Sequence, residues 1–195
     1  MRTAAIVTIA LIVAGCAHDG RTLSPPAPGA TAPALPATTL PGQTAAVRAL
    51  ALSTTAFEPG GPIPVEYTCD GANVSPPLAW GSVPEGTVEL ALVVTDNDAN
   101  GFVHWVIAQL DMTTQALAIG VVPEGAVEAK NSAGSVGWTG PCPPKGSGPH
   151  HYVFTLYALT GPTGVTAGMD PGAAIAAISQ ISGLTATLTG AYGRA

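Results

Sequence analysis

Val88-Glu89-Leu90-Ala91-Leu92-Val93-Val94-Thr95 is apolar on both faces from Leu90 onward. A solvated strand would alternate and a buried helix would run longer, so this short stretch predicts a strand covered on both sides. Phe102 to Leu110 and His151 to Leu159 are two further runs dominated by β-branched and aromatic residues, and they predict its neighbours. Leu184 to Tyr192 alternates Leu, Thr and Ala and predicts a fourth, weaker strand. A helix is expected between the third and fourth runs. Asp170 can cap it, Pro171 occupies the favoured first position, and Gly183 is placed to end it. Ala174, Ile175, Ile178 and Ile181 make its apolar stripe, which serves core packing. With 24 glycines and 19 prolines in 195 residues, the class is mainly β, with many turns. There is no internal repeat and no second domain boundary.

Upstream the chain changes character. Arg2 precedes a short apolar run from Ala4 to Ala14, too short to span a bilayer comfortably and typical of an export signal. It ends in Val13-Ala14-Gly15-Cys16, which looks like the lipobox of bacterial lipoproteins. There the cysteine thiol takes a diacylglycerol, the signal is cut, and Cys16 becomes the new N-terminus. The alternative is an ordinary signal peptide with a chance cysteine. The stretch from Cys16 to Ala46 interleaves Pro25, Pro26, Pro28, Pro33, Pro36 and Pro41 with Ala, Thr and Gly. It lacks the apolar surface that offsets ordering entropy. It therefore reads as a tether, about 3 Å per residue when extended. The organisation expected is a signal peptide over 1–15, the lipidated Cys16 and tether over 16–46, and one domain over 47–195. That places the protein on the extracytoplasmic face of the cell membrane, held by its lipid.

Lys and Arg number 6 against 12 Asp and Glu, a net charge of −6. No basic face is available to displace counterions, which argues against a nucleic-acid partner. Lipidation would consume one of the 3 cysteines. Cys69 and Cys142 remain, both in Gly/Pro-rich loops of an exported chain, where a disulfide is expected. Two free thiols or a metal pair are the alternatives.

Polar residues able to build a site are few. Asp96 and Asp98 close the central strand, His104 lies in the next, and His150 and His151 open the third, with Tyr152 behind them. Strand alternation puts His150, Tyr152 and Phe154 on one face and His151 on the other. By the same rule His104 faces away from Trp105. Neighbouring strand ends could then gather His104, His150 and Tyr152, with the two aspartates at the rim. A carboxylate beside an imidazole favours the protonated ring and leaves an N–H for an anion. The loop from Gly140 to Pro149 is too rich in proline to act as a phosphate-cradling nest of N–H groups. It reads as a stiff lip. Each signal also has a plain structural explanation: Asp-x-Asp caps turns, and a histidine in an apolar strand is often a satisfied core residue.

In this order the motifs resemble those of the phosphatidylethanolamine-binding protein family, also called Raf-kinase-inhibitor-like proteins. Thr68 to Trp80 is similar to the loop before the central strand in the bacterial branch. Asp96-Asn97-Asp98-Ala99 followed by His104-Trp105 is similar to the first signature, Asp-Pro-Asp-Ala-Pro with a downstream His. Gly140-Pro141-Cys142-Pro143-Pro144 running to His150-His151-Tyr152 resembles the second, which ends in His-Arg-Tyr. The resemblance implies a large antiparallel sheet packed on a smaller one, a few peripheral helices, and an anion pocket. Carried over by position, that pocket uses Asp96, Asp98, His104, Gly140, Pro141, His150 and Tyr152. Asn97 stands for the usual proline and His151 for the usual arginine, which removes a permanent charge and a five-donor fork.

The function expected is non-enzymatic recognition of a small anionic, phosphate-bearing ligand or a lipid headgroup. A modulator of an extracytoplasmic enzyme, acting through a protein partner or as a homodimer, is the second reading. A hydrolase is the third. It is disfavoured because neither Gly-x-Ser-x-Gly nor His-Glu-x-x-His occurs. No metal and no cofactor is expected.

Overall fold

The computed structural model describes residues 50–195. The signal peptide, Cys16 and the tether therefore lie outside the described residues. Eight strands form two antiparallel sheets among these residues. β1 (Leu52–Ser53), β2 (Leu78–Trp80) and β5 (Ala116–Leu117) make the small sheet, in the order β1-β2-β5. β3 (Glu89–Asp96), β4 (Phe102–Leu110), β6 (Val127–Glu128), β7 (His150–Leu159) and β8 (Ser182–Tyr192) make the large one, ordered β6-β4-β3-β7-β8.

β3 occupies the middle of the large sheet, and the reason it shows no alternation is visible on its two faces. Leu90, Leu92 and Val94 join Leu78, Trp80 and Leu117 of the small sheet in one core, together with Phe154 and Leu156 of β7. Ala91 and Val93 point the other way, into a second core completed by α1 (Pro171–Gln180) through Ala174 and Ile178. Burying such a side chain contributes roughly 1.5–3 kcal/mol, so both faces of β3 favour a Leu/Val run. β8, by contrast, is an edge strand that buries Ala186, Leu188 and Gly190 and exposes much of the rest. Its alternation is the mark of that position. It is nonetheless the longest strand among the described residues, two residues longer at its start than the pattern indicates.

The Asp170 side chain caps α1 by accepting from the Ala173 amide at 3.1 Å, as its sequence suggests. Gly183, however, does not end the helix. α1 closes at Gln180 with Ile181 as its C-cap, and Gly183 belongs to β8. A Cβ there would come to 2.9 Å from the Ala158 carbonyl oxygen, so this glycine serves close strand packing. Cys69 and Cys142 form the expected disulfide, with a Cα–Cα separation of 5.4 Å. Beside it Asp70 accepts from Arg194 at 2.7 and 2.8 Å and from the Tyr192 hydroxyl at 2.7 Å. These bonds latch the C-terminal segment to the disulfide-bearing loop.

Candidate functional site

Asp96 ends β3 on a rung shared with both neighbours, opposite Phe102 of β4 and Tyr152 of β7. The residue is 3% exposed, and its two carboxylate oxygens do different jobs. Oδ1 accepts from the amides of Asp98 at 2.8 Å and Ala99 at 3.1 Å, capping the turn Asn97–Ala99. Oδ2 faces His150 Nδ1 at 2.8 Å. Turn capping and imidazole orientation are thus both performed by one residue.

The His150 ring turns its Nε2 toward Ser147 Oγ, 3.3 Å away, and that hydroxyl donates onward to the Pro144 carbonyl at 2.9 Å. No motif marks Ser147 in the sequence; its closeness to His150 in the Gly-rich loop is the one signal for it. His151 points to the opposite face, as alternation requires. There its amide and Nδ1 reach Asp98 Oδ2 at 2.6 and 2.9 Å. The His151 amide and ring hold the Asp98 carboxyl below the usual carboxylate range.

His104 departs from the expected geometry. Thr95 pairs with Val103 and Val94 with Trp105, which leaves His104 as the extra residue of a β-bulge. A bulge cancels alternation locally. The His104 and Trp105 rings consequently lie on the same face, His104 5.1 Å from the Tyr152 ring and Trp105 in the core with Phe154. His104 Nδ1 lies 2.7 Å from the Thr139 carbonyl, and the Thr139 amide donates back to the His104 carbonyl at 2.9 Å. Burial holds the His104 imidazole below its ordinary value of 6.5, outweighing the Thr139 carbonyl and Asp96, which act the other way. The ring is therefore neutral, Nδ1 is the donor, and Nε2 is an acceptor.

That shift makes a stability prediction. A histidine whose pKa is depressed by folding stabilises the domain fully above its unfolded pKa, and the contribution is lost as pH falls through the folded value. Urea midpoints should therefore fall between about pH 7 and about pH 5, and His104→Gln should flatten the slope. A variant with the parent's slope would place the acid sensitivity elsewhere.

Asp96, His104, Gly140 and His150 line one cavity of about 240 Å³, with Phe102, Thr139, Pro143 and Pro144. Three of the residues carried over by motif stand outside its walls. Asp98 is turned to His151. Pro141 accepts from the Cys69 amide at 3.1 Å. Tyr152 is 1% exposed beneath the pocket, and burial, with the neighbouring Asp96 carboxylate, raises its pKa. Gly140 is fixed by its amide, which donates to Asn73 Oδ1 at 2.7 Å. A Cβ there would meet that oxygen and the Tyr67 carbonyl oxygen, each at 2.6 Å. Only glycine lets the loop pass so close. A cavity this size, with one carboxylate-held imidazole, one neutral imidazole and an apolar wall, suits a small polar group.

The family model for the phosphatidylethanolamine-binding protein matches residues 53–193. The protein named "Putative lipoprotein LppC" from Mycobacterium tuberculosis is 42% identical over 195 residues, covering 94% of this chain and 92% of its own. Among solved structures, Escherichia coli YbcL superposes with a TM-score of 0.72 at 29% identity, over 75% of this chain and 99% of its own. CT736 of Chlamydia trachomatis gives 0.69 at 32% identity, over 75% and 99% of the two chains.

Proposed function

The chain belongs to the phosphatidylethanolamine-binding protein family, and from that premise we propose that it is a lipid-anchored, extracytoplasmic binding protein. Its ligand is a small phosphate-bearing anion or headgroup held in the Asp96/His150 pocket, without catalysis. The observation that carries this reading is the buried Asp96 carboxylate set 2.8 Å from His150 Nδ1 at the cavity wall. A carboxylate so placed fixes the ring, and in the protonated ring the Nε2–H, which faces Ser147 Oγ at 3.3 Å, is the donor an anion takes in place of that hydroxyl. His104, neutral with Nε2 as acceptor, complements the P–OH of a singly protonated monoester. The Cys16 motif and the lipoprotein named among the relatives support the anchor, and the disulfide fits an oxidising compartment.

Calorimetry with methyl phosphate and dimethyl phosphate tests the pocket. The monoester should bind more tightly than the diester, and His150→Ala should weaken both by on the order of tenfold, the worth of a charge-assisted hydrogen bond. No binding by the parent, or equal binding by the variant, would remove the proposal. Cys16→Ala should move the chain from the membrane fraction to the soluble one and end fatty-acid labelling. Retention of the label would contradict the anchor.

A further inference from the structure

The other side of the Trp138–Gly140 segment carries a second cavity, of about 210 Å³, that shares no wall residue with the phosphate pocket. Its chemistry is of opposite sign. Glu128 lines it, with Oε1 fixed by the Trp105 indole N–H at 2.6 Å. Trp138 also lines it, set edge to face against Trp105 with ring centroids 5.8 Å apart. Gly137 backs the carboxylate so closely that a Cβ there would lie 2.9 Å from Oε1 and 3.0 Å from Oε2. The carboxylate thus has a set position. Among the described residues no cation pairs with it, and Lys130, two residues on, is exposed without an ion pair. Two apolar side chains in its wall stand exposed, Val122 at 41% and Val136 at 54%.

We propose that this cavity takes a lysine side chain presented by a partner polypeptide. One preset carboxylate supplies the charge, and the exposed valines receive the methylene stem and flanking apolar residues. A net charge of −6 draws a basic segment toward the surface. The cavity accommodates one side chain and no more.

The test is calorimetry on the full-length chain in nonionic detergent, with the peptide acetyl-Val-Lys-Val-amide, its Nε-acetyl-lysine counterpart, and n-butylammonium. The lysine peptide should bind. The acetylated peptide, which keeps shape and loses charge, should bind at least about tenfold more weakly, as should n-butylammonium, which lacks the apolar flanks. Glu128→Gln keeps an acceptor for Trp105 and should lower affinity for the lysine peptide about tenfold. Val136→Lys alters only an exposed rim position and should do the same by repulsion, while Glu124→Gln, outside this cavity, should change nothing. Methyl phosphate binding should be untouched in all three variants, so failure here is separable from failure of the phosphate pocket. Equal affinity for the acetylated peptide, equal affinity for n-butylammonium, or no response to Glu128→Gln would each overturn the proposal.

Discussion

Replacing Asp96 by alanine should destabilise the domain by about 3–5 kcal/mol and abolish phosphate binding, the range for removing one partner of a buried, hydrogen-bonded charge network. The size follows from what the carboxylate holds. Two turn amides and the His150 imidazole all donate to it, at 2.8 to 3.1 Å, within a residue that is 3% exposed. Alanine leaves these donors without their acceptor, and the turn after β3 loses its cap. Asp96→Asn should be milder. Its carbonyl oxygen still serves the two amides, but its NH₂ faces His150 Nδ1, which must then accept and carry no charge. The asparagine variant should therefore keep most of the stability and lose most of the phosphate affinity. Urea denaturation and calorimetry on the two variants separate the roles. An alanine variant within about 1 kcal/mol of the parent would show that the network is weakly coupled to folding.

The split between legible and illegible features follows the range over which each is decided. The β3, β4 and β7 runs are legible because both faces of the large sheet are covered, by the small sheet on one side and α1 on the other. Composition alone reports such burial. The facing of His150 and His151 is legible too, because β7 pairs with β3 without a slip. The facing of His104 is not. One extra residue in β4 reverses the alternation, and only the pairing with β3 creates it. Asn73, which holds Gly140, and Arg194, which holds Asp70, are 67 and 124 residues from their partners. No local signal connects them. The end of α1 was misplaced at Gly183 because a glycine three residues beyond a helix serves equally to stop it or to let the next strand pack closely.

Converting both Cys69 and Cys142 to serine should lower stability by about 4 kcal/mol and Tm by on the order of 10 °C. The pair closes a sequence separation of 73 residues, which spans β2 to β6 and the central strand, so the unfolded chain gains a large freedom when the link is lost. The native side contributes as well. Cys142 lines the Asp96/His150 pocket, and the Cys69 amide donates to the Pro141 carbonyl at 3.1 Å. The Asp70–Arg194 pair, with Arg194 Nη1 3.6 Å from Cys142 Sγ, ties the C-terminal segment to the same point. Without the link, the segment bearing Gly140, Pro143 and Pro144 is held by single hydrogen bonds and the latch, and its ordering must be completed when ligand binds. Phosphate affinity should therefore fall together with stability. The double variant is the right comparison, since a lone cysteine would leave a reactive thiol. Urea unfolding of parent and double variant, each with and without methyl phosphate, measures both effects. A stability loss below about 1 kcal/mol would mean that the unfolded chain gains little from the cut. Unchanged affinity would mean that the lip is set by Asn73 and Thr139 alone.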